Sequence, residues 1–182
     1  LIGKGNTFKS YDWFYKVRDV YESYVDTTTM KPLKFIRNVR EGNLRIYNQV
    51  LFNYETNQAI STDSILPIPS CIQDVLSAIY YARNINYSTY KKGDKIPLQL
   101  YLDNQVYPIY LRYQGKEKLK TKYGTYSTIK FNPLLIDGTI FKGGESMTVW
   151  VSDDAYRIPI FVRTPIVVGN IDVYLIKSAR PK

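Results

Sequence analysis

The chain contains no histidine, a single cysteine, and no apolar run of about the 18 residues a membrane-spanning helix needs. Without histidine there is no Ser-His-Asp triad, no Cys-His pair and no His-ligated metal, and the usual proton shuttle at neutral pH is missing. Cys71 alone excludes an internal disulfide and a Cys-only metal site, and leaves the redox compartment unread. The chain opens at Leu1-Ile2-Gly3 with neither an initiator methionine nor a signal-like apolar segment, so the expectation is that any leader has been removed. No metal and no cofactor is expected, and a binding or structural role leads over an enzymatic one.

What the chain does have is tyrosine and positive charge. Its 182 residues include 18 tyrosines, and 25 Lys plus Arg against 16 Asp plus Glu leave a net charge of +9. Tyrosine pairs a broad apolar ring with a polar tip, which suits both the wall of a half-buried sheet and the lining of a ligand cleft. The charge favours anionic partners such as phosphates, acidic glycans or lipid headgroups. With 45% hydrophobic residues the length supports one sizeable core and a single domain over residues 1–182.

Alternation dominates. From Trp13 to Asp26, Tyr15, Val17, Tyr21 and Val25 share one parity while Lys16, Arg18, Glu22 and Asp26 take the other, which predicts a half-buried strand. Leu33 to Arg40 and Leu44 to Tyr54 read as a hairpin across Glu41-Gly42-Asn43. Asp63 to Pro69 reads as a loop, because Pro67 and Pro69 oppose regular pairing. One helix is predicted over Ser70 to Asn84, with Ser70 as N-cap and Ile72, Val75, Leu76, Ile79 and Tyr80 as the core-facing stripe; Ser77 and Ala78 are small enough for a sheet to approach. Strand signals then run through 96–103, 106–114, 125–135, 146–152, 158–164 and 171–178. The predicted fold is mainly β: a curved antiparallel sheet, as an open barrel or roll, packed against one principal α-helix.

Three constellations invite a functional reading. Lys116, Lys118, Lys120 and Lys122 alternate with Glu117, Leu119 and Thr121, so in a strand the four ammonium groups share one face over about 20 Å. They form either a ladder for phosphate or acidic sugar, or a guard against edge-to-edge aggregation, and guarding is the commoner use. Nucleic acid is disfavoured, since the stripe holds neither arginine nor aromatics. Asp153-Asp154 is a turn first, and a cation or acid-base pair second. Trp13, Phe14 and Tyr15 form a dense aromatic segment that is either core or the lip of an apolar cleft.

Three stretches taken together resemble a bacterial family known as DUF3108: Tyr15-Lys16-Val17-Arg18-Asp19-Val20-Tyr21-Glu22-Ser23-Tyr24, Gln73-Asp74-Val75-Leu76-Ser77-Ala78-Ile79-Tyr80-Tyr81, and Thr148-Val149-Trp150-Val151-Ser152-Asp153-Asp154-Ala155-Tyr156-Arg157-Ile158-Pro159. The likeness extends over nearly the whole chain. It implies an exported protein of Gram-negative bacteria, in the periplasm or at the outer-membrane face, and supplies no catalytic residues. Members carry further strands upstream of the Tyr15 stretch, so the expectation is that part of the sheet lies outside this chain.

The leading functional expectation is a non-enzymatic envelope protein that binds a lipid, lipopolysaccharide, acidic glycan or other amphiphile in a half-open β-cleft. Trp13, Tyr15, Tyr21 and Tyr80 would serve as apolar lining, and Lys116, Lys118, Lys120 and Lys122 as a basic rim. A structural subunit that binds other envelope proteins is the alternative. A carboxylate-based enzyme acting on glycans through residues such as Asp153 and Asp154 ranks third.

Overall fold

The computed structural model describes residues 1–136, 143–165 and 169–178. It is mainly β with one α-helix, and its two sheets are open. The first sheet is an antiparallel meander of β1 (Ile2–Asn6), β2 (Arg18–Val25), β3 (Pro32–Glu41), β4 (Leu44–Asn53), β5 (Gln58–Ser61) and β6 (Ile65–Pro67), in chain order. The second comprises β7 (Ile72–Gln73), β8 (Lys95–Leu102), β9 (Gln105–Thr121), β10 (Gly124–Pro133), β11 (Thr148–Ser152), β12 (Pro159–Pro165) and β13 (Asn170–Tyr174), each beside its chain neighbour. Helix α1 (Val75–Asn84) connects β7 to β8, and this crossover makes β7–β8 a parallel pair.

The chain forms two compact units, Leu1–Ala82 with Leu98–Tyr107, and Arg83–Pro97 with Pro108–Lys182. In the first, alternate residues of β3, β4 and β5 turn Phe35, Val50, Phe52 and Ala59 into a core completed by Ile68, Ile72 and Tyr101. Tyr101 packs edge-on against Phe52 at 5.5 Å, and its hydroxyl donates to Asn104 Oδ1 at 2.8 Å. Buried aromatic rings with a partnered hydroxyl are the favourable use of tyrosine. Asp103 and Asn104 both take positive φ, the geometry of a two-residue hairpin turn between β8 and β9.

In the second unit Tyr87 stacks on Phe131 at 5.9 Å and lies beside Tyr113 at 5.7 Å, on the sheet face that also buries Ile129 and Val151. The opposite face carries a ladder in register across β11, β12 and β13, with Trp150 on Phe161 at 5.1 Å and Phe161 on Tyr174 at 4.6 Å. Cations close over it: Lys130 over Trp150, Arg163 over Phe161 and Lys122 over Tyr174. Trp150 Nε1 donates to Glu117 at 2.6 Å, so the indole N–H is satisfied.

The helix differs from its sequence reading in start and in face. Ile72 and Gln73 are strand, and the N-cap is Asp74 in place of Ser70. Asp74 Oδ1 accepts from the backbone N–H groups of Leu76 and Ser77, both at 2.8 Å, while Ser77 Oγ accepts from Asp74 N at 2.8 Å. This reciprocal pairing satisfies donors that an uncapped helix leaves open. Ser23 on β2 donates to Asp74 Oδ2 at 2.6 Å, so one buried carboxylate ties strand to helix. Burial pushes its pKa up against the opposing effect of these hydrogen bonds. On α1 the buried residues are Ser77 and Ala82, whereas Ile79 and Tyr80 of the predicted stripe are exposed. Small side chains are what permit close packing, and Leu76 lies 3.1 Å from where a Cβ on Gly3 would stand.

Two further expectations are corrected. Trp13 to Lys16 lie in a loop, since β2 begins at Arg18. Ile65–Pro67, expected as loop, is the edge strand of the first sheet, a position where proline's missing N–H removes no ladder bond.

Asp74→Ala is expected to cost about 1–3 kcal/mol, from the lost cap and the stranded Ser23 hydroxyl, while Ser70→Ala stays within about 0.5 kcal/mol. Urea unfolding of both variants checks this. A second expectation concerns Glu145, where Arg112 Nε and Nη2 and the Tyr110 hydroxyl converge at 2.5, 2.7 and 2.5 Å. The Arg112 hydrogen bonds, then that of Tyr110, lower its pKa to about 2 from 4.5. A carboxylate lowered on folding stabilises fully above its unfolded pKa, and that stabilisation disappears as pH falls through the folded one. The stability gap between wild type and Glu145→Gln should therefore hold down to about pH 5 and close towards about pH 2, as read from urea midpoints across that range.

Candidate functional site

In the first unit the connection from β1 to β2 is tied into a knot. Thr7 Oγ1 donates to Asp12 Oδ1 at 2.6 Å, and Arg18 Nη1 donates to Thr7 O, Thr7 Oγ1, Asp12 Oδ1 and Val17 O. Arg18 Nη2 reaches Asp12 Oδ2 at 2.5 Å. The Thr7 hydrogen bond, followed by that of Arg18, holds the Asp12 carboxyl below its ordinary range. Several mutually supporting charged hydrogen bonds fix a loop that has no sheet ladder of its own.

That loop holds large apolar side chains in solvent. Phe8 is 81%, Trp13 84% and Phe14 79% exposed, with the two neighbouring rings 6.0 Å apart edge to face. Lys9 and Lys16 of the same loop are also exposed. Scattered single apolar residues on a surface need no explanation, whereas exposed aromatics carried together on a hydrogen-bonded loop are the kind of feature that interaction surfaces use.

The β3–β4 turn stands against the same loop. Gly42 N donates to Lys16 O at 2.8 Å, Val17 bridges Glu41, and the Tyr15 ring lies over Gly42. Gly42 has φ +53, and a Cβ there would meet Tyr15 Cε2 at 2.9 Å, so glycine is required by both conformation and space. Leu44 adds a further exposed apolar side chain, and Arg40 and Arg45 add exposed cations. The acids at this end are engaged: Asp12 with Arg18, and buried Asp19 with Arg40 N and with Glu41. Partial burial, then the Asp19 hydrogen bond and charge, raises the Glu41 carboxyl. The arrangement is chemically suited to meeting an anionic, partly apolar surface. Among the described residues no group of three or more His, Cys, Asp or Glu side chains is placed to hold a metal ion.

The residues nominated from sequence separate into two groups. Trp13, Tyr15, Tyr21 and Tyr80 belong to the first unit, and Lys116, Lys118, Lys120 and Lys122 to the second. Trp13 and Tyr15 are in the loop just described. Tyr21 is half-buried on β2 with its ring 6.4 Å from Phe35, in the wall of the core, and Tyr80 lies on the exposed side of α1. Lys116, Lys118 and Lys120 are exposed on one face of β9, opposite Ile129, Ser127 and Thr125 of β10. Lys116 pairs with Asp153 at 2.9 Å. Lys122 sits in the turn after β9 and packs over Tyr123 and Tyr174, which separates it from the other three. Asp154 Oδ1 accepts from Ser152 Oγ and from the N–H groups of Tyr156 and Arg157, the arrangement of a turn.

Phe8, Lys9, Lys16 and Leu44 were not singled out from sequence. A signal existed in Trp13-Phe14-Tyr15, because three successive large aromatics cannot share one face of a strand.

A family model described as "Protein of unknown function (DUF3108)" matches residues 2–176. No curated protein and no solved structure matches the chain.

Gly42→Ala is expected to destabilise the protein by about 1–3 kcal/mol through positive φ and the displaced Tyr15 ring. The same change should loosen the loop, read as faster amide hydrogen exchange at residues 12–17 with little change in the β4–β5 ladder.

Proposed function

The chain belongs to the DUF3108 family, whose members have no assigned activity, and on that footing we propose that it is a non-enzymatic, exported cell-envelope protein that binds anionic amphiphiles at a lipid surface. The observation that carries this reading is the knotted loop holding Phe8, Trp13 and Phe14 in solvent along with exposed Lys9 and Lys16. Tryptophan and phenylalanine favour the boundary between headgroups and acyl chains, and nearby lysines add attraction to anionic lipid. The loop's fixed geometry lowers the ordering cost of insertion. In this reading contact is made by the loop end of the first sheet, and the lysines of β9 guard an edge. Residues 116–121 of β9 extend past the strand's pairing with β8, so among the described residues they have a neighbour on one side only, where lysine discourages pairing with another chain.

A second reading, a protein-interaction subunit, rests on a different observation. Tyr24, Lys34, Leu51, Ile60 and Ile65 form one cross-strand row on the outer face of the first sheet, and Tyr24, Leu51 and Ile65 are exposed.

The two tryptophans make the leading reading measurable, because Trp150 is buried and Trp13 is exposed. Vesicles containing anionic lipid should shift tryptophan emission to the blue, whereas neutral vesicles should do so weakly, and added salt should reduce the difference. Trp13→Ala/Phe14→Ala should weaken vesicle binding about tenfold or more, given about 1.5–3 kcal/mol for fully burying one such side chain. Unchanged emission with anionic vesicles, or unchanged binding by the double variant, would overturn the proposal.

A further inference from the structure

On the outer face of the first sheet, at the end next to the aromatic loop, two arginines project from adjacent strands to the same side. Arg40 on β3 and Arg45 on β4 are direct cross-strand partners, and Asn38 and Tyr47 form the next pair on the same face. Together with Val39 and Ile46 these residues line a depression of about 480 Å³. Like charges directly opposite in a sheet are unfavourable unless something neutralises them.

Among the described residues no carboxylate does so. Continuing the Asn38–Tyr47 pair across the sheet gives Val20 and Lys4, and the same register sets Arg18 beside Arg40, so further cations share the face. Asp19 and Glu41 have the opposite parity and pair with each other on the inner face. Asp12 is held by Arg18, and Glu22, one row further along the face, accepts from the Tyr24 hydroxyl at 2.9 Å. Arg45 Nη1 donates to Gly42 O and Leu44 O, both at 2.7 Å, which fixes this guanidinium over the turn and spends one of its nitrogens. Its remaining donors, and the whole Arg40 fork, have no protein acceptor among the described residues.

We infer that Arg40 and Arg45, with Asn38 and Tyr47, form a recognition site for a phosphomonoester, presented by the headgroup of a lipid. Two arginines side by side across one strand pair, where directly opposite Cβ atoms stand about 5 Å apart, are best met by an anion with three acceptor oxygens in a non-planar arrangement, so that each guanidinium finds its own acceptor. A terminal phosphate has them and a carboxylate, with two in a plane, does not. The amide of Asn38 and the hydroxyl of Tyr47 supply further donors along the same face. A phosphomonoester also carries about 1.5 to 2 negative charges at neutral pH, against one for a phosphodiester, which matches a paired cation. The inference rests on the reading that this end of the sheet meets a lipid surface, and it adds the headgroup chemistry that surface must offer.

The test compares the intact protein with Arg40→Lys/Arg45→Lys and Arg40→Ala/Arg45→Ala on two kinds of vesicle matched in surface charge density, one containing phosphatidic acid and the other phosphatidylglycerol. Soluble glycerol 3-phosphate is titrated in parallel by calorimetry. Wild type should prefer the monoester vesicles about five- to tenfold, and the lysine variant should lose that preference while keeping general attraction to anionic vesicles, because an ammonium group lacks the two-pronged geometry. The alanine variant should bind both vesicles weakly and melt no lower than wild type, since it removes a repulsion. Equal binding of the two vesicles by wild type, or a preference that survives in the lysine variant, overturns the site. If glycerol 3-phosphate binds in an arginine-dependent manner while no vesicle binds, the phosphate site stands and the lipid-surface function falls. If Trp13→Ala/Phe14→Ala abolishes vesicle binding and the arginine variants change nothing, the function stands and this inference falls. Tighter binding of a single-stranded oligonucleotide than of either vesicle assigns the arginines to nucleic-acid phosphates and overturns the lipid headgroup.

Discussion

A buried carboxylate must be satisfied, and in the first unit that requirement falls on Asp74. Fully buried, it accepts from two backbone N–H groups that open α1 and from the Ser23 hydroxyl on β2. The strand-to-helix change at residue 74 follows, since the side chain that caps the helix cannot move without stranding Ser23. With the helix start fixed, Ser77 and Ala82 face inward and Leu76 reaches Gly3 on β1, so the first strand is placed by the same contact chain. Leaving any one of these donors unpaired in the interior would cost about 1–3 kcal/mol, comparable to a sizeable part of a domain's net stability.

Charge is distributed by a similar rule of satisfaction. Asp12, Asp103, Glu145 and Asp172 are each paired with an arginine, and Asp153 and Glu117 with lysines. Exposed pairs of this kind add little stability, but they remove acids from the surface field. The surplus of basic residues is then felt where, among the described residues, no carboxylate pairs with the guanidinium groups, as at Arg40 and Arg45. Net charge alone carried no such address.

The aromatic residues divide between three uses that composition does not distinguish. Tyr87 and Tyr101 are core side chains, Trp150, Phe161 and Tyr174 form a stacked ladder closed over by cations, and Phe8, Trp13 and Phe14 stand in water. The third group costs solubility and is held in place by the Thr7–Asp12–Arg18 knot, so the loop's rigidity and its exposed rings belong to one feature. That combination is what gives the loop its functional reading.

The sequence by itself determined the mainly β class, the family likeness, the hairpin at Gly42, the Asp153-Asp154 turn and the positions of nine of the thirteen described strands, because alternation with period two and the local chemistry of glycine, asparagine and aspartate act over a few residues. It also placed one helix between two sets of strands. It misjudged the helix start because Ser70 and Asp74 are both competent caps, and the choice between them was made by Ser23, 51 residues away in sequence from Asp74. It read Trp13 to Lys16 as strand because parity is a statement about neighbours, whereas the loop is fixed by an arginine bonding back to Thr7 and Asp12. Register decided the rest: only pairing β3 with β4 sets Arg40 opposite Arg45, and only the turn after Thr121 parts Lys122 from Lys116, Lys118 and Lys120. Which residues share a face across strands depends on hydrogen-bonded pairing between distant segments, and that exists only once the chain has folded.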